Sequence, residues 1–151
     1  MANTLVKIYL HIVFHVKTTS IPMREEDLPS IFEYIGGIIR NVGGISMLTG
    51  GVTDHIHILC TLPKNIALPD YVRAIKANSS RWIKTLGDYY APFEWQDGYG
   101  AFSVSATKIP TVREYIRNQK QHHQTVTFID EYKQFLHAYN VEYDERYAFG
   151  D

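Results

Sequence analysis

Several features that would indicate other classes of protein are absent from this sequence. It has one cysteine, Cys60, which excludes an intramolecular disulfide and favours a reducing, cytoplasmic location. No apolar run approaches the roughly 18 residues that a membrane-spanning helix needs, so we expect no membrane contact. The N-terminus has no basic region followed by a sustained apolar stretch, and we therefore expect no signal peptide.

The chain also lacks internal repeats and low-complexity tracts. Its length of 151 residues is typical of one domain, and its 45% hydrophobic content is enough for a proper core. We therefore expect residues 1–151 to form a single domain.

An excess of positive charge, the usual mark of a nucleic-acid-binding protein, is missing too, because the net charge is −1. The charges are unevenly distributed, however. Residues 73–120 contain eight basic and four acidic residues, whereas residues 121–151 contain two basic and six acidic ones. Ordinary solvated helix faces would explain the basic middle segment, but in a DNA-binding protein it would contact phosphates. The candidate contact residues are Arg73, Lys76, Arg81, Lys84, Arg117 and Lys120.

What the chain does contain is a short predicted strand with two histidines. Residues 54–59 alternate apolar side chains with His, and glycines and a proline bound the segment. Because alternate side chains of a strand point to opposite faces, His55 and His57 share one face, about 7 Å apart. Two imidazoles on one face form half of a divalent-metal site, although half-buried histidines without a metal explain the spacing equally well.

A second candidate stretch follows about sixty residues later, where Pro110 marks the start of a predicted helix over residues 111–119. Tyr115 and Gln119 are four residues apart and therefore share one helix face. A tyrosine hydroxyl can act as a covalent nucleophile, and a glutamine oxygen can join a metal shell. For an isolated pair, a tyrosine packed against a sheet and a solvated glutamine is the plainer explanation.

Together, these stretches resemble the HUH single-tyrosine transposases of small bacterial insertion sequences (the TnpA type). The matching segments, within residues 5–135, are Phe14–Lys17, His55–His57, Trp95–Ser105 and Tyr115–Gln119. The resemblance implies a transposase that cleaves and rejoins single-stranded DNA at hairpin-bearing ends through a 5′-phosphotyrosine. It also implies a homodimer in which the tyrosine helix can be exchanged between subunits.

The same resemblance assigns roles to individual residues. Tyr115 would be the nucleophile, and His55, His57 and Gln119 would hold one Mg²⁺ or Mn²⁺. Two other residues are candidates for the third metal ligand besides Gln119. His122 and His123 follow three and four residues later and can share its helix face.

The order of predicted elements indicates an α+β fold. We expect strand–helix–strand–strand–helix–strand and then further helices, in a ferredoxin-like antiparallel sheet of four to five strands. Helices would pack on one face of the sheet, with the tyrosine helix added after it. The expected strands are residues 5–18, 45–48, 54–59 and one within 93–105, with a turn at Gly50-Gly51, and the expected helices are residues 22–41, 69–86, 111–119 and 128–139.

Three alternatives stay open at this point. A domesticated relative would cut repetitive hairpins of a host genome by the same chemistry. A non-catalytic ferredoxin-like module would bind nucleic acid and use Tyr115 only structurally. A metal-dependent hydrolase of small phosphoesters would turn over without forming a protein–DNA adduct.

Overall fold

The computed structural model describes residues 3–124 and 126–144, which form a four-stranded antiparallel sheet with helices on both faces. The strands are β1 (Tyr9–His15), β2 (Ser46–Val52), β3 (His55–Thr61) and β4 (Gly100–Val104), and the helices are α1 (Leu28–Asn41), α2 (Leu68–Ile83), α3 (Ile109–Arg117), α4 (Gln119–His122) and α5 (Phe128–Ala138). The strands lie in the order β2-β3-β1-β4, and every neighbouring pair is antiparallel. The predicted α+β fold with ferredoxin-like connectivity is thereby confirmed.

The main hydrophobic core lies between one face of the sheet and the helices α1 and α2. Ile12 and Phe14 of β1 and Ile56 and Ile58 of β3 point to this face, and all four are completely buried. Ile35 of α1 closes the core from the helix side. These residues occupy alternate strand positions, so the other side chains of the same strands point to the opposite face.

The opposite face of the sheet is covered by α3, α4 and α5. Val13 of β1 packs against Tyr132 and Leu136 of α5, whereas Leu59 of β3 packs against Ile116 of α3. The amphipathic helix predicted over residues 128–139 is therefore present as α5 and packs on the sheet. No helix within the described residues combines the length and the apolar character that crossing a bilayer requires.

The predicted first strand, residues 5–18, is too long. β1 covers Tyr9–His15 only, and Leu5, Val6 and Ile8 before it lie outside any strand. Their side chains are exposed, Leu5 to 91%. An apolar run predicts burial only where another layer covers it, and no described element covers these three residues.

The turn predicted at Gly50-Gly51 is wrong, because β2 continues through both glycines and the chain turns at residues 53–54. Gly50 pairs with His57 in the sheet at a point where α3 packs very closely. A Cβ atom at Gly50 would lie 2.7 Å from Cγ2 of Ile116. Glycine therefore marks a close approach of helix and sheet here rather than a turn.

The observed helices also differ from the predicted ones in where they begin and end. α1 begins at Leu28 rather than at residue 22, after one 3₁₀ turn over Glu25–Asp27, and α2 ends at Ile83 before a second 3₁₀ turn. Pro29 lies in the first turn of α1, where its missing N–H costs no hydrogen bond. The predicted tyrosine helix, residues 111–119, is interrupted at Asn118 and becomes α3 and α4.

Candidate active site

β3 directs His55 and His57 to the sheet face that α3, α4 and α5 cover. Both side chains are completely buried, and their ring centroids lie 5.1 Å apart. The shared face follows from the two-residue period of the strand, which places Ile56 in the core between them.

The helices α3 and α4 bring the other two predicted site residues to the same place. The Tyr115 ring centroid lies 5.7 Å from that of His57, and Gln119 Oε1 lies 3.1 Å from His55 Nε2. Gln119 is buried, whereas Tyr115 is half-buried. The structure thus brings Tyr115, Gln119 and the histidine pair into one cluster.

The residue at the centre of this cluster is Glu131 of α5, which was not predicted as a site residue from the sequence. Its side chain is 1% exposed. Oε1 accepts a hydrogen bond from His57 Nε2 at 2.9 Å, and Oε2 accepts one from the hydroxyl of Tyr115. A signal was present, since Glu131 lies three residues after Phe128 and four before Phe135, on the apolar stripe of α5. An acid on such a stripe is buried and needs a partner.

The charges of the cluster follow from burial and from these hydrogen bonds. Burial alone would raise the pKa of Glu131, but hydrogen bonds from His57 and Tyr115 outweigh it and hold the pKa at about 2. Burial lowers the pKa of His57 to about 4. Burial and the hydrogen bond to Glu131 raise the pKa of Tyr115 well above its ordinary value. Near neutral pH, Glu131 is therefore a carboxylate, His57 is neutral and Tyr115 keeps its proton.

His11 of β1 extends the cluster on the sheet. Its Nε2 atom lies 2.8 Å from Nδ1 of His57. Burial, and then the neighbouring His57, lower the pKa of His11 to about 3, so both rings are neutral near pH 7. Because the Glu131 carboxylate only accepts, His57 carries its proton on Nε2 and receives a hydrogen bond from His11 at Nδ1. One hydrogen-bonded chain therefore runs from His11 through His57 and Glu131 to Tyr115.

The cluster contains a group of side chains that fits a divalent metal ion. One ligand atom from each of His55, His57, His123 and Glu131 lies within 4.8 Å of the others. Three imidazoles and a carboxylate are ligand types that divalent ions accept, and a carboxylate offsets part of the charge of the ion. His55 also has an outer partner, because its Nδ1 lies 2.7 Å from Oδ1 of Asp54.

Access to the cluster differs between Tyr115 and the histidines. A cavity of about 890 Å³ opens beside α3 and α4 and is lined by Tyr115, Asn118 and His122, among others. His55 and His57, in contrast, have no exposed surface. Tyr115 can thus be approached from solvent, whereas α5 covers the histidine pair.

Three of the predicted DNA-contacting residues line one groove on the far side of the sheet. Arg73, Lys76 and Lys84 line a cavity of about 560 Å³ beside α2. The ammonium of Lys76 donates hydrogen bonds to backbone carbonyls, including those of Asp97 at 3.1 Å and Gly98 at 2.9 Å. The helix α2 packs on the face opposite the cluster, so this groove and Tyr115 are separated by the sheet.

The remaining three predicted contacts lie elsewhere. Arg81 is exposed on α2 and donates to Asn78 at 3.1 Å. Arg117 and Lys120 are exposed at the junction of α3 and α4, close in sequence to Tyr115. Lys120 forms an ion pair with Glu25 at 2.6 Å.

Comparisons with known proteins identify a family and similar folds. The sequence model of a family described as transposase IS200-like matches residues 4–119. A proposed transposase from Deinococcus radiodurans R1 is similar in structure with a TM-score of 0.61 and 19% identity, over 79% of this chain and 95% of that chain. A REP-associated tyrosine transposase bound to a REP hairpin is similar with a TM-score of 0.59 and 15% identity, over 83% of this chain and 74% of that chain. At these identities the two structures share the fold. No curated protein matches the sequence.

Proposed function

Because this chain belongs to the IS200-like transposase family, we propose that it cleaves and rejoins single-stranded DNA with Tyr115 as the covalent nucleophile. The observation that carries the proposal is the shared carboxylate of Glu131, which accepts hydrogen bonds from both Tyr115 and His57. A tyrosine hydroxyl and a candidate metal site therefore belong to one cluster, as metal-assisted phosphoryl transfer by a tyrosine would require.

In the proposed reaction, the hydroxyl oxygen of Tyr115 attacks the phosphorus of a DNA phosphodiester. A bond forms between this oxygen and phosphorus, and the bond from phosphorus to the 3′ oxygen breaks. The phenolic proton leaves toward Oε2 of Glu131, and the departing 3′ oxygen takes up a proton from solvent. The products are a 5′-phosphotyrosine and a free 3′-hydroxyl. Attack by a 3′-hydroxyl reverses the step and rejoins strands, so no nucleotide cofactor is required.

His55 and His57, with the predicted Gln119 or with the neighbouring His123 and Glu131, would hold Mg²⁺ or Mn²⁺ in this site. When bound, such an ion acts as a Lewis acid toward a phosphate oxygen. The hydrogen-bond partners of these ligands orient them. A hydrogen bond at the second ring nitrogen fixes the orientation of a metal-binding imidazole. His57 receives this support from His11 at 2.8 Å.

The proposed substrate is single-stranded DNA with a hairpin at the end of a mobile element. The hairpin bound by the REP-associated transposase supports this class of substrate and equally supports a domesticated hairpin nuclease with the same chemistry. The cavity beside Tyr115 is the proposed entrance for the strand. Because His55 and His57 are completely buried, α5 has to move for a phosphate to reach them. Tyr115 and both histidines come from one chain here, and the predicted exchange between subunits of a homodimer stays a prediction.

The experiment is a denaturing gel of the protein incubated with a hairpin-bearing single-stranded oligonucleotide, in Mg²⁺, in Mn²⁺ and in chelator. We expect a metal-dependent covalent adduct in the wild type that Tyr115→Phe abolishes without loss of DNA binding. Tyr34→Phe, on the helix α1 at the far side of the sheet, is the matched control and keeps the adduct.

Other outcomes would contradict the proposal. An adduct that survives in Tyr115→Phe would mean that a different residue is the nucleophile. DNA binding without any adduct would favour the non-catalytic binding module. Turnover of small phosphoesters without an adduct would favour the hydrolase.

A further inference from the structure

A second cavity, the His15 cavity, lies at the end of β1 beside the cluster. It has a volume of about 460 Å³ and is lined by His15, Lys17, Asp54, Phe128 and Ile129, among others. We propose that this cavity binds one unpaired base of the DNA strand, with Nε2 of His15 accepting a hydrogen bond from the amino group of that base. The proposal rests on the proposed function, because it takes DNA as the ligand, and deepens it by naming a residue that selects the base.

His15 is buried, and one of its ring nitrogens has no partner. The side chain is 7% exposed and lies on the same face of β1 as His11, four residues earlier on the strand. Nδ1 lies 2.7 Å from the backbone oxygen of Val16, which can only accept, so the proton is on Nδ1. Nε2 forms no hydrogen bond within the described part of the chain. A buried acceptor without a partner is unfavourable, and a donor on a ligand would satisfy it.

The other walls of the cavity suit a flat, mostly apolar ligand. The ring centroid of Phe128 lies 5.3 Å from that of His15, and Ile129 is 47% exposed. Asp54 supplies a second acceptor, because its carboxylate is largely exposed and bonds His55 through Oδ1. Proteins bind unpaired bases by packing apolar or aromatic side chains on their faces and by hydrogen bonds along their edges. The volume is also within the range of cavities that hold small ligands.

The charges around the cavity favour a neutral base over a phosphate. The helix α5 begins here, and a helix N-terminus ordinarily attracts anions. Two acids, Asp130 and Glu131, already occupy the first turn of α5, and the hydroxyl of Thr127 accepts the N–H of Asp130 at 3.2 Å. The carboxylate of Asp54 adds a further negative charge at the wall. An anion would therefore be repelled, whereas the N–H groups of a base would find acceptors.

The position of Lys17 connects the cavity to the predicted DNA contacts. Lys17 follows the end of β1 and lines both the His15 cavity and the groove that contains Arg73, Lys76 and Lys84. That groove and Tyr115 lie on opposite faces of the sheet, so a strand that contacts both has to pass round an end of the sheet. A strand that passes at Lys17 reaches the His15 cavity before the cluster, which is why DNA is the proposed ligand.

The cavity also lies next to the candidate metal site. His15 and His55 are paired neighbours on β1 and β3, and the ring of Phe128 lies 4.3 Å from that of His55. The base that binds here therefore belongs to a nucleotide close to the phosphate that Tyr115 attacks. The cavity is open while α5 covers the histidine pair, so the base can bind before α5 moves.

Two acceptors at the edge of the cavity determine which bases fit. The amino groups of adenine, cytosine and guanine each carry two N–H donors, whereas thymine has no amino group. His15 and Asp54 can therefore both be satisfied by an amino-bearing base. Thymine leaves at least one of them unpaired.

The test is a selection by the full chain, in chelator, from hairpin-bearing oligonucleotides whose single-stranded flanks are randomised. We expect thymine to be depleted at least about fivefold at one flank position, the lower end of what an unpaired buried acceptor costs. His15→Asn keeps an N–H near the place of Nδ1 but has no acceptor at Nε2, so the depletion should disappear. His15→Gln, whose amide oxygen reaches the place of Nε2, should retain it. His137→Asn, at an exposed histidine of α5, is the matched control and should select as the wild type does.

Equal base frequencies at every flank position would overturn the inference, and so would a depletion of thymine that persists in His15→Asn. A variant that fails to fold is recognised by loss of its cooperative thermal transition. A measurement on the wild type needs no variant: 5-iodocytosine at the selected position is cross-linked to the protein by light. We expect the cross-link in tryptic peptide 8–17 or 121–133, which contain His15 and Phe128. A cross-link confined to other peptides would contradict the inference.

The covalent-adduct gel separates failure of this inference from failure of the proposed function. A metal-dependent adduct on Tyr115 without any selection against thymine would keep the function and refute the base cavity. Selection that depends on His15, without any adduct, would support the cavity and refute the cleavage reaction.

Discussion

The two faces of the sheet are built from the same strands, and they differ in what holds them closed. On β3, Ile56 and Ile58 point toward α1 and α2, whereas His55 and His57 point toward α3, α4 and α5. The main apolar core closes the first face, whereas the second combines two smaller apolar clusters with hydrogen bonds between ionisable side chains. The two-residue period of a strand therefore lets one segment serve as both core and site, and neighbouring substitutions can separate the two roles.

Substitutions at adjacent residues of β3 test most strongly whether the two faces have separate roles. His57→Gln keeps a donor for Glu131 but removes an imidazole, so we expect loss of the DNA adduct with the fold retained. Ile58→Ala removes core volume and should lower the free energy of unfolding by about 2–5 kcal/mol, while the folded fraction still forms the adduct. Urea unfolding and adduct yield per folded molecule measure both effects. Equal losses of activity and stability in the two variants would contradict the separation.

The groups that make stability depend on pH should also lie on one face of the sheet, the face that α3, α4 and α5 cover. In the fold, burial and His57 lower the pKa of His11 from 6.5 to about 3, so the unfolded chain binds a proton at a pH where the folded chain does not. The stability of the metal-free protein is therefore complete above pH 6.5 and falls as the pH drops toward 3. The slope for one such group is up to about 1.4 kcal/mol per pH unit.

Urea unfolding in chelator at pH 7 and at pH 5 measures this slope. His11→Phe should reduce it without abolishing it, because burial also lowers the pKa of His57 to about 4 and His57 remains. Ile12→Val, the next residue on β1 but on the core face, should lower stability equally at both pH values. An unchanged slope in His11→Phe would show that another group carries the pH dependence.

Gly50→Ala tests how closely α3, the helix that carries Tyr115, packs on the sheet. The new Cβ would lie 2.7 Å from Cγ2 of Ile116 and 3.0 Å from its backbone oxygen, so α3 has to shift. We expect a loss of about 1–3 kcal/mol and a lower adduct yield, because Tyr115 precedes Ile116. At the control position, Gly98, a Cβ meets nothing closer than 3.6 Å. Wild-type stability and adduct yield in Gly50→Ala would contradict the close packing.

The smallest effect is expected on the core side, at two neighbouring glycines of α1. A Cβ at Gly37 meets only Arg40 Nη2 at 3.9 Å, so Gly37→Ala should stabilise the helix by about 0.5–1 kcal/mol. A Cβ at Gly36 lies 3.1 Å from Ser46 Oγ, which should offset that gain. Thermal unfolding distinguishes the two, and adduct yield should stay at the wild-type level in both. A change in adduct yield would mean that α1 influences the site across the sheet.

The parts of the site that follow local spacing rules could be predicted from the sequence. Residues two apart on a strand share a face, which brought His55 and His57 together, and residues four apart on a helix do the same for Tyr115 and Gln119. Glu131 obeys no such rule, because it reaches His57 across 74 positions of sequence through the docking of α5. Tertiary packing of that helix had to be known before the carboxylate could be assigned to the cluster.

Glycine and apolar runs were ambiguous for a related reason. Gly50 permits either a turn or a close contact, and only the position of α3 distinguishes the two. The apolar residues Leu5 and Val6 extended the predicted first strand, but a strand also needs a partner and a covering layer. Element order and connectivity were predictable because they depend on pattern, whereas element ends depend on neighbours that are distant in sequence.

The most direct test of the assignment of Tyr115 is to locate the covalent bond by mass spectrometry. Trypsin cleaves after Arg113 and Arg117, and the resulting peptide, residues 114–117, contains Tyr115 as its single tyrosine. After incubation with a hairpin-bearing oligonucleotide, metal ion and nuclease, we predict this peptide with the added mass of a nucleotide phosphate on Tyr115. The same added mass on any other tyrosine peptide, with peptide 114–117 unmodified, would contradict the account.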